Sequence, residues 1–278
     1  MTTIEFIAYT FGGSLLAGLI GSLTGLGGGV VIVPLLTIVF GIDIRYAIGA
    51  SLVAVIATSS GAAAAYVKEG FANIRIGMLL EIATTIGALF GAFLAGILPT
   101  SVIAIVFGLV LLYSAVLSRR AHHESVLHLP PDPLATKLKL NGTYPVKGEK
   151  QPYNVYSVPA GFGLMGVAGA LSGLLGIGSG AVKVLAMDQA MKIPFKVSTT
   201  TSNFMIGVTA AASAGLYLHR GYIDPVIAMP VVLGVLIGST TGARILRTAE
   251  TKSLRMMFSV VIFVLAIEMI YHGVTGTL

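Results

Sequence analysis

The sequence predicts an all-α polytopic membrane protein of two homologous, inverted repeats, each with a short half-helix after a glycine-rich turn. The first observation is composition: of 278 residues, 55% are hydrophobic and only 10% are charged, with a mean hydropathy of +0.93. Because a soluble domain carries about 25% charged residues, this chain has too much apolar surface for one water-soluble core. The other two observations are an internal repeat and two apolar segments too short to cross a bilayer.

Long stretches without charge indicate where the membrane helices lie. Asp, Glu, Lys and Arg are absent from 6–42, 46–67, 82–118 and 151–182, and a membrane helix needs about 20 apolar residues. The segments predicted for the first repeat, residues 1–118, are 6–24, 30–40, 46–67, 76–97 and 101–118. Those predicted for the second repeat, residues 158–278, are 158–174, 181–190, 198–218, 225–246 and 256–272.

The second segment of each repeat, 30–40 and 181–190, is unusually short. At about 1.5 Å per residue, each reaches about half the thickness of the hydrocarbon layer. Such a segment is tolerated at membrane depth only where protein or a water-filled cavity surrounds it. Both are therefore predicted to be half-helices or re-entrant segments.

The only long polar stretch, 119–157, is predicted to be a cytoplasmic linker between the repeats. It is rich in Lys and Arg, and its prolines interrupt any long helix. Its three histidines, His122, His123 and His128, raise the alternative of a metal site, but their spacing defines no ligand geometry. A solvated loop without a metal is the preferred interpretation.

Charge and composition exclude several classes of function. The net charge of +6 comes from basic residues in loops, which fits the positive-inside rule better than a nucleic-acid partner. The chain has no cysteine, which excludes disulfides, thiolate metal sites and cysteine nucleophiles. Because the membrane segments also lack a Ser-His pair or a matched carboxylate pair, the chain is not expected to be an enzyme or to bind a cofactor.

The two halves of the chain match at a constant separation of 151 positions. The matched pairs include Gly25 with Gly176, Gly27 with Gly178, Ser51 with Ser202, Thr58 with Thr209 and Gly87 with Gly238. Such repeats are typical of secondary transporters. The turn at 98–100 is uncharged while its counterpart near residue 250 is basic, so the two repeats are predicted to have opposite orientations in the membrane.

The glycine turns are the first candidate site. Glycine permits tight turns and exposes backbone amides, and a helix start directs free N–H groups toward an anion. The alternative is close helix packing through small residues. The residues proposed to bind a small anionic substrate here are Thr24, Gly27, Gly28, Gly29, Gly178, Ser179 and Gly180.

Lys183 follows the second turn and is the most informative single residue. A charge at membrane depth indicates function, although its side chain could instead extend to the interface. The first repeat has Ile32 at this position, so the second repeat is expected to dominate binding. A polar cluster on the next helix, Thr201, Ser202 and Asn203, with Ser51 in the first repeat, either ligates the anion or forms interhelical hydrogen bonds.

Two carboxylates, Glu81 and Glu268, also fall within apolar segments. Either could carry a coupling proton. Glu81 lies six residues after Arg75, so an interfacial ion pair is the preferred interpretation, and Glu268 is also predicted to be interfacial.

These motifs resemble the TauE/SafE family of sulfite exporters, also known as toluene-sulfonate uptake permeases. In the first repeat the resemblance lies in the glycines from Gly18 to Gly29, in Pro34 and in Ala50-Ser51. In the second it lies in Gly176–Gly180, Pro194 and Thr201–Asn203. The usual Thr-Ser pair is replaced by Ala50-Ser51, which leaves one hydroxyl fewer.

The resemblance implies a multi-pass protein of the prokaryotic plasma membrane that moves sulfite, sulfonates or related anions. The expected function is secondary transport of such an anion, with export by alternating access around a midplane site. The alternatives are a passive anion channel on the same fold, or transport of another small anion. The expected partners are the substrate and the lipid bilayer, without nucleic acid.

Overall fold

A computed structural model describes residues 2–24, 28–68, 72–118, 132–146, 149–246 and 251–276. The first repeat contains α1 (Thr3–Thr24), α2 (Gly29–Pro34), which continues as a π-helical turn (Leu35–Val39), α3 (Ile44–Lys68), α4 (Ile74–Ala95) and α5 (Thr100–Ser118). The second contains α7 (Val158–Leu175), α8 (Gly180–Leu185), which continues as a π-helical turn (Ala186–Ala190), α9 (Phe195–His219), α10 (Pro225–Leu246) and α11 (Thr251–Thr275). Each predicted segment therefore corresponds to a helix, and the two short segments are short in the structure.

The linker is not the loop that was predicted. It contains a short helix, α6 (Pro133–Lys137), and an antiparallel hairpin of β1 (Gly142–Val146) and β2 (Glu149–Tyr153). The side chain of Asp132 accepts hydrogen bonds from the Leu134 amide at the start of α6 and from the Val158 amide at the start of α7. One carboxylate thus fixes where the linker ends and the second repeat begins. The description as all-α therefore applies to the membrane part alone.

The hairpin is anchored to the start of α4. The Asn73 side chain donates to the Leu140 carbonyl (3.0 Å) and to the Tyr153 hydroxyl (2.7 Å), and Arg75 donates to the Lys139 carbonyl (3.3 Å). Burial raises the pKa of Tyr153 above its usual value, so its hydroxyl stays neutral. The described part of the linker from residue 132 is therefore folded and packs against the start of α4.

The outer surface of the helices is apolar. On α4, large side chains recur at helical spacing on one face and are more than half exposed: Met78, Ile82, Ile86, Phe90 and Phe93. Two described helices, Ile74–Ala95 and Val158–Leu175, are long and apolar enough to span a bilayer over their described residues. An apolar exterior around buried hydroxyls such as those of Thr10 and Ser14 is the arrangement that a lipid solvent requires.

The helices associate in matching pairs. Helix α1 packs along α10, α4 along α7, α5 along α11, and α3 along α9. A Cβ atom on Gly91 would overlap the Ala170 carbonyl across the α4–α7 contact, and one on Gly238 would overlap the Leu15 carbonyl across the α1–α10 contact. Because lipid gives no hydrophobic drive between helices, close backbone contact through small residues is the principal source of their association.

Gly91→Ala is expected to destabilise the protein, because the added methyl group must separate α4 from α7. Overpacking of this kind costs about 1–3 kcal/mol. Gly163→Ala in α7 is the matched control, since nothing lies within 4 Å of a Cβ atom there. Thermal unfolding in detergent should show a lower midpoint for Gly91→Ala alone, and equal midpoints would contradict the packing argument.

Candidate functional site

The two glycine turns meet inside the protein. The Ser51 hydroxyl, on α3, donates to the Gly176 carbonyl at 2.8 Å. A Cβ atom on Gly29 would lie 2.9 Å from the same carbonyl oxygen and 3.2 Å from the Ile177 Cα atom. The start of α2 therefore lies against the turn before α8, where residues from both repeats converge.

The second turn has a left-handed backbone. Gly176 and Gly178 have φ angles of +68° and +70°, and Ser179 has a φ of +44°. Gly178 is also wedged against Ile206 and Val55. Glycine is needed at positions 176 and 178 because a side chain would be strained there and would also collide with a neighbouring helix.

In the first turn, the structure describes only part of what was predicted. Gly28 has ordinary right-handed angles (φ −65°, ψ −21°), and its close neighbour is Val235 on α10. Thr24 ends α1, but its side chain lies outside the described part, as does Gly27. Packing against α10 is therefore the visible role of glycine at position 28.

Ser179, which precedes α8, is a buried polar residue without a partner. Only 3% of its surface is exposed, and its hydroxyl has no hydrogen bond within the described residues. An unsatisfied buried hydroxyl is uncommon because burial removes the water that would otherwise bind it. This hydroxyl is available to a ligand at the turn.

Lys183 lies one helical turn further along α8 and is completely buried. Its ammonium donates to the Thr209 hydroxyl on α9 at 2.6 Å. An ammonium has three hydrogens to donate, and Thr209 is its only hydrogen-bond partner among the described residues. The snorkelling alternative is therefore wrong, and part of the donor capacity of Lys183 is unused.

Glu81 completes a chain of hydrogen bonds across three helices. Its Oε1 atom accepts from Thr209 (2.7 Å) and from Thr85 (3.1 Å), while its Oε2 atom is buried without a described partner. The predicted interfacial pairing of Glu81 with Arg75 is wrong, because Glu81 faces α9 rather than the linker. In contrast, Glu268 is half-exposed and lies 3.7 Å from His272, as expected for an interfacial carboxylate.

The polar cluster of α9 forms contacts between segments. Ser202 donates to the Gly180 carbonyl at 3.3 Å and so connects α9 to the start of α8. The Thr201 hydroxyl accepts from the Asn73 amide at 3.0 Å, on the linker side of the protein. No hydrogen bond among the described residues connects Asn203 with the other predicted site residues. For Thr201 and Ser202, interhelical hydrogen bonding is thus the observed role.

The comparison with known proteins agrees with this architecture. The family model described as "Sulfite exporter TauE/SafE" matches residues 10–269. The chain belongs to the TauE/SafE family.

Relatives of this TauE/SafE protein carry transporter names. It is 30% identical to the probable membrane transporter protein YunE of Bacillus subtilis, over 94% of this chain and 96% of that one. It is 26% identical to a probable membrane transporter protein of Methanocaldococcus jannaschii, over 92% of each chain. No solved structure matches the chain significantly. The protein is therefore a multi-pass membrane transporter with a small-molecule substrate, and not an enzyme.

In this TauE/SafE protein, Lys183, Thr209 and Glu81 form one hydrogen-bonded chain. Sequence reasoning did not place Thr209 or Glu81 in it. Thr209 was visible only as the repeat counterpart of Thr58, yet it lies seven positions after Ser202 and therefore on the same face of α9. Glu81 was assigned to the interface because Arg75 is near it in sequence. Six residues of helix place the two side chains about 120° apart around the axis of α4, and therefore on different faces, which was the available signal.

The described residues contain no group of three or more His, Asp or Glu side chains that could hold a metal ion. The linker histidines His122, His123 and His128, considered above for a metal site, lie outside the described residues.

Thr209→Val is expected to destabilise the protein, since valine keeps the shape but leaves the Lys183 ammonium without its described partner. A hydrogen bond to a charged group contributes about 1.5–3 kcal/mol. Thr58→Val is the matched control, because the Thr58 hydroxyl donates only to carbonyls of its own helix (Ala54 and Val55). Thermal unfolding in detergent should separate the two variants, and equal losses would contradict the central role of Thr209.

Proposed function

We propose that this protein is a secondary transporter for a small sulfur-containing anion, such as sulfite, a sulfonate or sulfoacetate. It exports the anion across the prokaryotic plasma membrane by alternating access around a site between the two glycine turns. The family description as a sulfite exporter supports the substrate class. The single observation that carries the proposal is the buried ammonium of Lys183.

An oxyanion fits the free hydrogen-bonding capacity of this region. The Lys183 ammonium has unused donors among the described residues, and the Ser179 hydroxyl one turn earlier is unpartnered. A sulfur oxyanion offers several acceptor oxygens and a negative charge, so it would satisfy both groups together. A substrate without acceptor oxygens would leave these donors unused, and a cationic substrate would also be repelled by the ammonium.

The proposed site has two walls. The second turn provides Gly178, Ser179 and Gly180 beside Lys183, and Ser202 holds Gly180 in place. We assign the opposite wall to Thr24, Gly27, Gly28 and Gly29 of the first turn, of which the structure describes Gly28 and Gly29. Ser51 lies beside Gly29 and donates to the Gly176 carbonyl of the second turn. Thr201 and Asn203 are further from this arrangement, and we assign them a supporting role.

The orientation in the membrane is part of the proposal. We assign residues 1–118 and 158–278 to inverted repeats, and 119–157 to the cytoplasm. Two contacts support inversion, because they make the equivalent helices α3 and α9 antiparallel: Tyr46 packs on Tyr222 with ring centroids 5.5 Å apart, and Asn73 binds Thr201. The described lysines at the linker end, Lys139, Lys150, Lys192 and Lys196, support a cytoplasmic assignment of that end.

Lys183→Met is expected to weaken anion binding by about tenfold to a hundredfold, because it removes a charge-assisted hydrogen bond at similar side-chain volume. Lys196→Met, at an exposed position near the start of α9, is the matched control. The measurement is efflux of labelled sulfite, sulfoacetate and sulfate from proteoliposomes, together with their binding affinity.

The same assay distinguishes the alternatives. Unchanged affinity in Lys183→Met would remove Lys183 from the site, and a folded protein that moves none of the three anions would contradict the substrate class. Ohmic single-channel currents in planar bilayers would favour a passive channel over a carrier.

A further inference from the structure

The Glu81 carboxylate is only partly satisfied inside the protein. Its Oε1 atom accepts two hydrogen bonds, from Thr209 and Thr85, whereas Oε2 is buried and has no partner among the described residues. Thr209 connects Glu81 to Lys183 through bonds of 2.6 Å and 2.7 Å. A buried carboxylate oxygen without a hydrogen-bond donor is a position where a proton can bind, and the adjacent cation favours its release.

We propose that Glu81 is the proton carrier of the transport cycle and takes up one proton whenever an anion binds at Lys183. This inference rests on the proposed function. The proton comes from the aqueous side from which the anion enters and forms an O–H bond at Oε2. It leaves to water with the anion on the opposite side, so anion and proton move in the same direction.

Charge balance at membrane depth is the physical reason why proton uptake accompanies anion binding. Without substrate, the Lys183 ammonium and the Glu81 carboxylate neutralise each other through Thr209. A bound monoanion would leave one uncompensated negative charge in a region of low dielectric constant, which is strongly unfavourable. Protonation of Glu81 restores neutrality and frees the ammonium to bind the anion alone.

Among the described residues, no other ionisable side chain is placed to take up this proton. Glu81 is on α4, which packs against α7 and α9, and α7 has no ionisable side chain. Lys183 is the charged group that faces Glu81, through Thr209. The remaining ionisable side chains of α4, α9 and the turn after α8 lie near the ends of those elements: Arg75, Asp188, Lys196, Tyr217 and His219.

Comparison with the first repeat indicates that the charged pair of Lys183 and Glu81 is not required for packing. The positions 151 residues away from Lys183, Thr209 and Glu81 are Ile32, Thr58 and Val232. Ile32 is fully buried, and the Thr58 hydroxyl donates within its own helix. The same helix arrangement is therefore built without charge in one repeat, and the charged version in the other requires a functional explanation.

Coupling to a proton determines which gradients drive transport. Movement of one monoanion with one proton is electroneutral, so the membrane potential does not drive it. The anion gradient and the pH gradient together set its direction, and export follows when the anion accumulates inside the cell. A dianion carried with one proton moves net charge and responds to the potential.

The direct test is proton uptake on ligand binding. Purified protein in weakly buffered detergent solution, with a pH indicator dye, is titrated at neutral pH with methanesulfonate and sulfoacetate. Both ligands are fully ionised in neutral solution. Methanesulfonate also has no weakly basic group, so a proton removed from solution when it binds must go to the protein. The wild type should take up about one proton per bound anion, whereas Glu81→Gln should bind the anion and take up none.

Transport provides the second readout. In proteoliposomes, Glu81→Gln should lose accumulation driven by a pH gradient but keep anion exchange between equal pH values. Glu268→Gln, which neutralises a half-exposed carboxylate outside the site, should behave as wild type in both assays. If Glu81→Gln fails to fold, the proton count of the wild type is decisive alone.

The outcomes separate this inference from the proposed function. Wild-type protein that binds an anion without proton uptake overturns the role of Glu81 and leaves the anion site intact. Glu81→Gln that accumulates anion under a pH gradient as the wild type does also overturns it. Wild-type protein that binds neither anion overturns this inference together with the proposed site.

Discussion

A fully buried ammonium is the constraint on which the centre of this protein depends. Lys183 is at the start of a half-helix, and its charge is tolerable only because Thr209 and, through it, Glu81 are within reach. That chain of hydrogen bonds requires α8, α9 and α4 to hold one relative arrangement. A break in the helix is also required, since a continuous span would not place a helix start at this depth. The helix arrangement and the candidate site therefore depend on the same condition, which is that the buried charge of Lys183 keeps its partners.

Small residues make this arrangement possible in lipid. Gly91 and Gly238 bring the backbones of paired helices into contact, and Gly29 does the same where the two turns meet. Each pair is therefore a closely packed unit that is held mainly by van der Waals contact. The proposed alternating access needs such units: stiff pairs of helices that shift around a site formed by short segments from both repeats.

Helix positions and the half-helices were predictable because length and apolar runs are local properties of a chain. Lys183 was predictable because a charge within an apolar run is conspicuous. The position of Glu81 beside Thr209 was not predictable, since it depends on a contact between helices far apart in sequence. The nearby Arg75 led instead to an interfacial assignment. The hairpin was missed because Pro145 and Pro152 were interpreted only as residues that interrupt a long helix. A two-stranded ribbon tolerates them, since each strand has one unpaired edge.

The inequality of the repeats explains how one duplicated fold can hold a single charged centre. In the first repeat, Ile32 fills the position of Lys183 with a buried apolar side chain, and the half-helix is formed equally well. The fold therefore does not depend on the ammonium for its stability. Burial of a charge opposes folding unless partners offset it. The second repeat therefore has a desolvation cost at Lys183 that the first repeat, with Ile32, does not have. Under the proposed function, the two repeats therefore have different roles: the first supplies a neutral wall of the site, and the second supplies the charge that binds the anion.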